Sequence, residues 1–270
     1  MRASRLEALS PVLGLGELVF RLVAGVAFRS VSRLDRGHRI GQRSADGAPP
    51  ARTNRDNSHV SVRVLRANDR VAVPWRNGAG STREVAVGGA DESGFDWRVS
   101  LADIDRDGPF SSYDGYTRVM TLVQGDGLEL ILDGVPHRVE RRNEPFAFDG
   151  GTPAMCRLFS GPVLALNVIG RRASGVEVIR PTGTTRIDAT GAVVAVLLDG
   201  AARLSADFEG TADLPTTDAD ELGGYDAVLI DRADDETGSL CLAPSVVGTV
   251  VAVVRIGQAA DRPSSSRLRW

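Results

Sequence analysis

The chain has 270 residues, 42% of them hydrophobic and 25% charged, with a formal net charge of −3. That balance is ordinary for a soluble globular protein and gives no global attraction to nucleic acid or to an anionic membrane. All 32 basic residues are arginine, which excludes a Schiff-base lysine and a P-loop lysine.

Residues 1–58 differ in character from the rest. The stretch 9–28 is apolar but is broken by Pro11, Glu17 and Arg21, which suits neither a membrane span nor a signal peptide. Its leucines and valines fit an amphipathic helix. Residues 29–58 are rich in Arg, Gly, Ser, Asp and Pro and read as disordered linker. The expectation is that 1–58 stands outside the folded unit, and even that the natural start lies near Val60.

From Val60 onward, short runs rich in Val, Leu and Thr alternate with turn residues. Strands are predicted over 60–65, 83–87, 97–103, 118–123, 128–132, 135–139, 154–159 and 163–168. Asn77-Gly78, Asp107-Gly108-Pro109, Asp114-Gly115, Asp133-Gly134 and Gly161-Pro162 are among the turn signals between them. A second series follows over 175–179, 192–198, 202–208, 227–230 and 246–256. No helical period of useful length lies between the strands, so the fold class is all-β. Two small barrels in tandem, 59–172 and 173–260, fit the length, with a loose tail over 261–270.

The densest run of special residues is 73–85. Pro74 fixes its own φ, Trp75 carries one N–H that needs a partner when buried, and Asn77-Gly78 signals a tight turn. Thr82, Arg83 and Glu84 then bring polar groups into an apolar run. The stretch is either a plain hairpin turn or a ligand-facing turn with Trp75, Asn77, Thr82 and Glu84 aimed into a pocket.

These residues carry a family resemblance. Pro74-Trp75-Arg76-Asn77-Gly78-Ala79-Gly80-Ser81-Thr82-Arg83-Glu84 comes first, followed by Phe95-Asp96-Trp97-Arg98-Val99-Ser100-Leu101-Ala102. Asp107-Gly108-Pro109-Phe110-Ser111, Arg118 with Leu122, Gly125-Asp126-Gly127, Asn167-Val168 and Arg171-Arg172 complete the set. From about Val60 to Ile256 the chain resembles the HutD/Ves family. The resemblance implies a bicupin, two small jelly-roll barrels, linked to bacterial histidine utilisation. It also implies binding of a small pathway metabolite that restrains flux, in place of catalysis. Two departures stand out. The family usually has Lys at the position of Arg76, and often Asp-Phe where this chain has Ala165 and Leu166.

A metal-dependent cupin needs an HxH pair, a downstream Glu and a later His. The histidines here are His38, His59 and His137, which form no such pair. His137 reads as a surface or core residue, and the residues after 172 contain no histidine. The expectation is therefore no metal and no cofactor. Gly-x-Ser-x-Gly is absent, and Gly78-Ala79-Gly80 is not continued into a dinucleotide fingerprint. Asp103, Asp105 and Asp107 read as a solvated turn. Cys156 and Cys241 are far apart and read as thiols of a reducing compartment, hence a cytoplasmic protein.

Alternation along 97–103 sets Trp97, Val99 and Leu101 on one face and Arg98, Ser100 and Ala102 on the other. The polar face is either plain solvent surface or the lining of a barrel interior, where Arg98 could grip a carboxylate with a two-pronged donor. Arg118 is the second arginine candidate. Asn77, Thr82, Ser100 and Asn167 would supply hydrogen bonds, and Glu84 is expected to have an arginine neighbour. Phe110 and Tyr113 either plug the barrel end or cover the pocket mouth, with Ser111 donating to the ligand. Three functions remain open. One is a metal-free binder of a small anionic metabolite such as urocanate or formylglutamate. Another is a cupin isomerase or hydrolase acting through Glu84 and an arginine. The last is a structural or protein-binding bicupin; a homodimer fits any of them.

Overall fold

The computed structural model describes residues 61–90, 94–171, 175–207, 221–231 and 237–257. The expected extension 1–58 and tail 261–270 lie outside the described residues. In chain order the first strands are β1 (Ser61–Leu65), β2 (Ala72–Pro74), β3 (Gly80–Gly88), β4 (Trp97–Ile104), β5 (Gly108–Pro109) and β6 (Thr117–Gln124). Next come β7 (Leu128–Leu132), β8 (Val135–Val139), β9 (Pro145–Asp149), β10 (Ala154–Leu158) and β11 (Val163–Gly170). The later series is β12 (Gly175–Ile179), β13 (Thr185–Thr190), β14 (Val193–Asp199), β15 (Ala202–Asp207), β16 (Glu221–Leu222), β17 (Ala227–Asp231), β18 (Thr237–Pro244) and β19 (Val250–Arg255). Among the described residues no helix is long and apolar enough to cross a membrane.

The strands pair antiparallel into four open sheets. Their orders are β2-β3-β4-β11-β6-β9, β5-β10-β7-β8, β1-β17-β14-β19-β12 and β13-β18-β15-β16. Three apolar layers separate them. Met120, Leu122, Leu128, Leu130 and Cys156 fill the layer between the first two sheets. Val99, Leu101, Leu166, Val196, Leu229 and Ala252 fill the layer between the six- and five-stranded sheets. Ile187, Val193, Ile230, Leu240 and Val253 fill the third. β11 and β14 therefore read as nearly unbroken apolar runs, because both of their faces are covered.

The structure changes several expectations. The sheets do not close into barrels: the first two end in β2 and β5, which have only 3 and 2 residues, too short to carry a ladder across the gap. β1, expected in the first series, pairs with β17 and lays Val62 and Val64 on the core of the second. β2, β5, β9, β13, β16 and β18 were not expected as strands. In β9 the opening Pro145 looks like a turn, although Phe148 is buried. β13 exposes Arg186 and Asp188 on one face and buries Ile187 and Ala189 on the other. The strand expected over 246–256 starts at Val250, since Thr249 Oγ donates to Val246 O at 2.8 Å and Ala201 O at 3.0 Å and holds the preceding residues in a turn.

Candidate functional site

The run 73–85 forms the β2–β3 hairpin. Trp75 N–H donates to Gly80 O at 2.8 Å and Gly78 N–H to Trp75 O at 3.0 Å, with Gly78 at φ 66°. Asn77 Oδ1 accepts from Ala79 N–H at 3.0 Å, and its amide donates to Pro109 O at 3.4 Å. Asn77 is therefore an exposed turn residue that ties the hairpin to β5. Gly80 packs so closely on β4 that a Cβ would overlap the Asp103 carbonyl oxygen.

After the hairpin, register decides which side chains face inward. Glu84 stands opposite Ser100, Ser100 opposite Asn167, and Asn167 opposite Met120. One step along the same face, Arg98 stands opposite Ile169, Ile169 opposite Arg118, and Arg118 opposite Phe148. An irregularity between Glu84 and Ala86 lets β3 keep Glu84 on this inner face while Val85 and Ala86 join the apolar layer behind it. The polar face of β4 thus looks into the layer between the first two sheets, and the apolar face looks at the five-stranded sheet.

The two arginines sit among aromatic rings. Arg118, 6% exposed, has its guanidinium carbon 4.9 Å from the Phe148 centroid, 5.4 Å from Phe110 and 5.6 Å from Tyr113. Arg98 lies 5.0 Å from the Phe95 centroid and 5.5 Å from Tyr113. Arg98 Nη2 donates to Tyr113 Oη at 2.9 Å, and Arg118 Nη1 donates to Ser111 O at 3.1 Å. The Nε atoms of both arginines and Oδ1 of Asn167 are buried without a hydrogen-bond partner. Among the described residues no carboxylate lies within 4.0 Å of either guanidinium.

Burial lowers the Arg118 pKa to about 10, with Tyr113 opposing that fall and the positive charge of Arg98 adding to it. Burial raises the Glu84 carboxyl above its ordinary range, partly offset by the attraction of Arg98. Glu84 therefore has the arginine neighbour expected of it, acting through its field and not through a contact ion pair.

The other expected residues differ in where they lie. Trp75 donates its indole N–H to Thr82 Oγ at 2.8 Å and sets its ring edge-on to Phe110, centroids 6.0 Å apart. Thr82 is thus engaged by Trp75. Ser111 and Asn77 are exposed, and Ser111 contributes its backbone carbonyl, not its hydroxyl. Ala165, where the family often has Asp, is fully buried opposite Ala102 and Leu122, two residues along β11 from Asn167. Phe95 and Phe148 were missed by sequence reasoning, and each stacks on one of the two arginines. The hint for Phe148 was the Phe146-Ala147-Phe148 alternation. Arg171 holds Phe95 O with Nε at 3.3 Å and lies over the Tyr116 ring at 4.7 Å, so it braces the aromatic cluster from behind. His137 lies on β8 with its ring 5.4 Å from Phe146. Among the described residues no three His, Cys, Asp or Glu side chains converge in a way that could hold a metal ion.

Two surface hollows lie away from the arginines. One of about 270 Å³ is lined by Arg138, Glu140, Arg141, Glu144 and Phe146. The other, about 310 Å³ and mostly apolar, is lined by Pro109, Phe110, Ile131, Ala154 and Met155. The second one is lined in part by Phe110, whose ring also meets Arg118.

The chain is similar to several known proteins. Residues 67–243 match the family model described as HutD. A Pseudomonas putida protein described as an uncharacterized 21.2 kDa protein in the hutC 3′ region is 41% identical over 109 residues, 40% of this chain and 57% of that one. Protein Ves of Citrobacter koseri is 38% identical over 130 residues, 46% of this chain and 66% of that one. The chain thus covers less than two thirds of the length of either relative. The solved structure of HutD from Pseudomonas fluorescens, described as a formate condition, matches with a TM-score of 0.58 at 30% identity, over 72% of this chain and 98% of its own.

Proposed function

This chain belongs to the HutD family, which is linked to the histidine utilisation locus, and from that premise we propose that it binds a small carboxylate metabolite between Arg98 and Arg118. The reading takes the four sheets as a bicupin working in the cytoplasm. Its ligand is of the urocanate or formylglutamate kind, and its role is to restrain histidine catabolism. One observation carries it: the buried Arg118 and the half-buried Arg98 share one aromatic-walled face, each with a buried and unpartnered Nε, and neither has a carboxylate in ion-pair range. Burying an uncompensated cation costs several kcal/mol, and a bound carboxylate removes that cost while accepting charge-assisted hydrogen bonds. Ser100 and Asn167 stand on the next step of the same face, within reach of the rest of such a ligand.

A thermal-shift screen of histidine, urocanate, formylglutamate and glutamate tests the proposal, because a ligand that binds only the native state raises its melting temperature. A shift with one of the carboxylates that disappears in Arg98→Ala supports it. No shift with any of them removes it.

One observation favours a second reading, catalysis by Glu84. Its raised pKa suits a general acid or base, with Arg98 as the electrophilic partner. Chemical change in any of the four compounds on incubation with the protein, abolished in Glu84→Gln, would establish turnover.

A further inference from the structure

The buried Arg118 and the half-buried Arg98 take their acceptors from one short segment. Arg118 donates to the Ser111 carbonyl at 3.1 Å and Arg98 to the Tyr113 hydroxyl at 2.9 Å. The Tyr113 ring stands between them, its centroid 5.5 Å from one guanidinium carbon and 5.6 Å from the other. Both acceptors are neutral, in a place where two cations call for an anion.

The segment also lies at the surface. Ser111, Ser112, Asp114 and Gly115 are exposed. Its backbone is tied by Phe110 N–H to Ala154 O at 2.9 Å, Tyr113 N–H to Gly150 O at 2.7 Å and Tyr116 N–H to Tyr113 O at 3.1 Å. Phe110, at its leading edge, also lines the apolar hollow.

We propose that segment 111–113 is a built-in stand-in for the ligand, with the Tyr113 hydroxyl and the Ser111 carbonyl occupying the positions on Arg98 and Arg118 that a carboxylate takes when it binds. This rests on the carboxylate-binding reading above and adds that binding is a competition. The incoming carboxylate has to displace the segment, and because one segment serves both arginines, a single displacement frees both. Bonds from the arginines to a charged carboxylate outweigh those to the neutral oxygens they replace, which drives the exchange. Tyr113 thereby sets the affinity threshold: weak anions do not open the site, and a ligand able to engage both guanidiniums does.

The test uses the full chain with acetate and succinate as probes, titrated by calorimetry into wild type, Tyr113→Phe and Arg98→Ala. Tyr113→Phe keeps the ring over both arginines and removes only the competing oxygen. Its affinity for the better probe should rise by about tenfold or more, the change set by losing one hydrogen bond between a guanidinium and a neutral oxygen from the unliganded state. Arg98→Ala should lose binding. Hydrogen exchange provides the second readout: saturation with the probe should speed exchange of the Tyr113 amide, now bonded to Gly150 O. Equal or weaker binding in Tyr113→Phe, or slower exchange at Tyr113 on saturation, overturns the stand-in while leaving the carboxylate site intact. Binding that persists unchanged in Arg98→Ala, or none in wild type and Tyr113→Phe alike, removes the site itself and the stand-in with it.

Discussion

Arg98 on β4 and Arg118 on β6 stand on either side of Ile169, on one face of one sheet. Three neighbouring strands place their backbones roughly 10 Å apart, close enough for both long side chains to converge on one small group. They converge on Tyr113. Arg98 adds to the electrostatic cost of burying Arg118, and no described carboxylate offsets it by direct contact. The consequences can be measured.

Arg98→Ala should abolish stabilisation by the best ligand of the screen, a loss of roughly 2–5 kcal/mol in binding. Arg98→Lys should recover little, because an ammonium does not reproduce the two-pronged geometry. Arg203→Ala, an exposed change on β15, should bind as wild type does. Calorimetry on well-folded variants decides between these outcomes, and unchanged affinity in Arg98→Ala places the site elsewhere.

Arg118→Met keeps most of the side-chain volume among Phe110, Tyr113 and Phe148 and removes the buried charge. In the absence of ligand the variant should be as stable as wild type or more so, by about 1 kcal/mol, while ligand binding is lost. Urea denaturation of both proteins, with and without ligand, measures the two effects together. A marked loss of unliganded stability would show that the cation is compensated in a way the interior contacts do not reveal.

Glu84 gives a pH signature. Its carboxyl is raised from the ordinary value of 4.5 in the folded chain. Below pH 4.5 the group is protonated in both states and favours neither. As pH climbs past that value, the unfolded chain ionises first, so the folded state loses stability until its own raised pKa is passed. Glu84→Gln does not ionise. Its melting temperature should match wild type at pH 4 and exceed it at pH 7, and an advantage that is instead largest in acid would contradict the direction of the shift.

The two hairpin glycines should differ in kind. Gly80→Ala drives a methyl into the Asp103 carbonyl on β4 and should cost about 3 kcal/mol, since backbone cannot move aside as a side chain can. Gly78→Ala meets no atom and pays only for its φ of 66°, about 1 kcal/mol. Thermal unfolding of the pair measures the gap. Equal costs would mean that β3 and β4 can part at Gly80.

Much of this was already in the amino-acid order. Period-two alternation and turn residues marked β7, β8 and β12 at the residues the structure shows, and placed Arg98 and Ser100 on one face of β4. The ordered motifs from Pro74 to Arg171 pointed to the family. Alternation is a local property, so it says which side chains share a face without saying what lies opposite that face. Only the tertiary structure decided that the polar face of β4 looks into the layer between two sheets, that β1 crosses to join β17, and that Phe95 and Phe148 stack on the two arginines. Short polar strands such as β13 escaped because half of their residues face solvent and their pairing partner, β18, is more than 40 residues away in the chain, from Thr185 opposite Leu242 to Thr190 opposite Thr237. Burial, register across the sheet and the convergence of Arg98 and Arg118 on Tyr113 depend on contacts between segments far apart in sequence, and those exist only once the sheets have stacked.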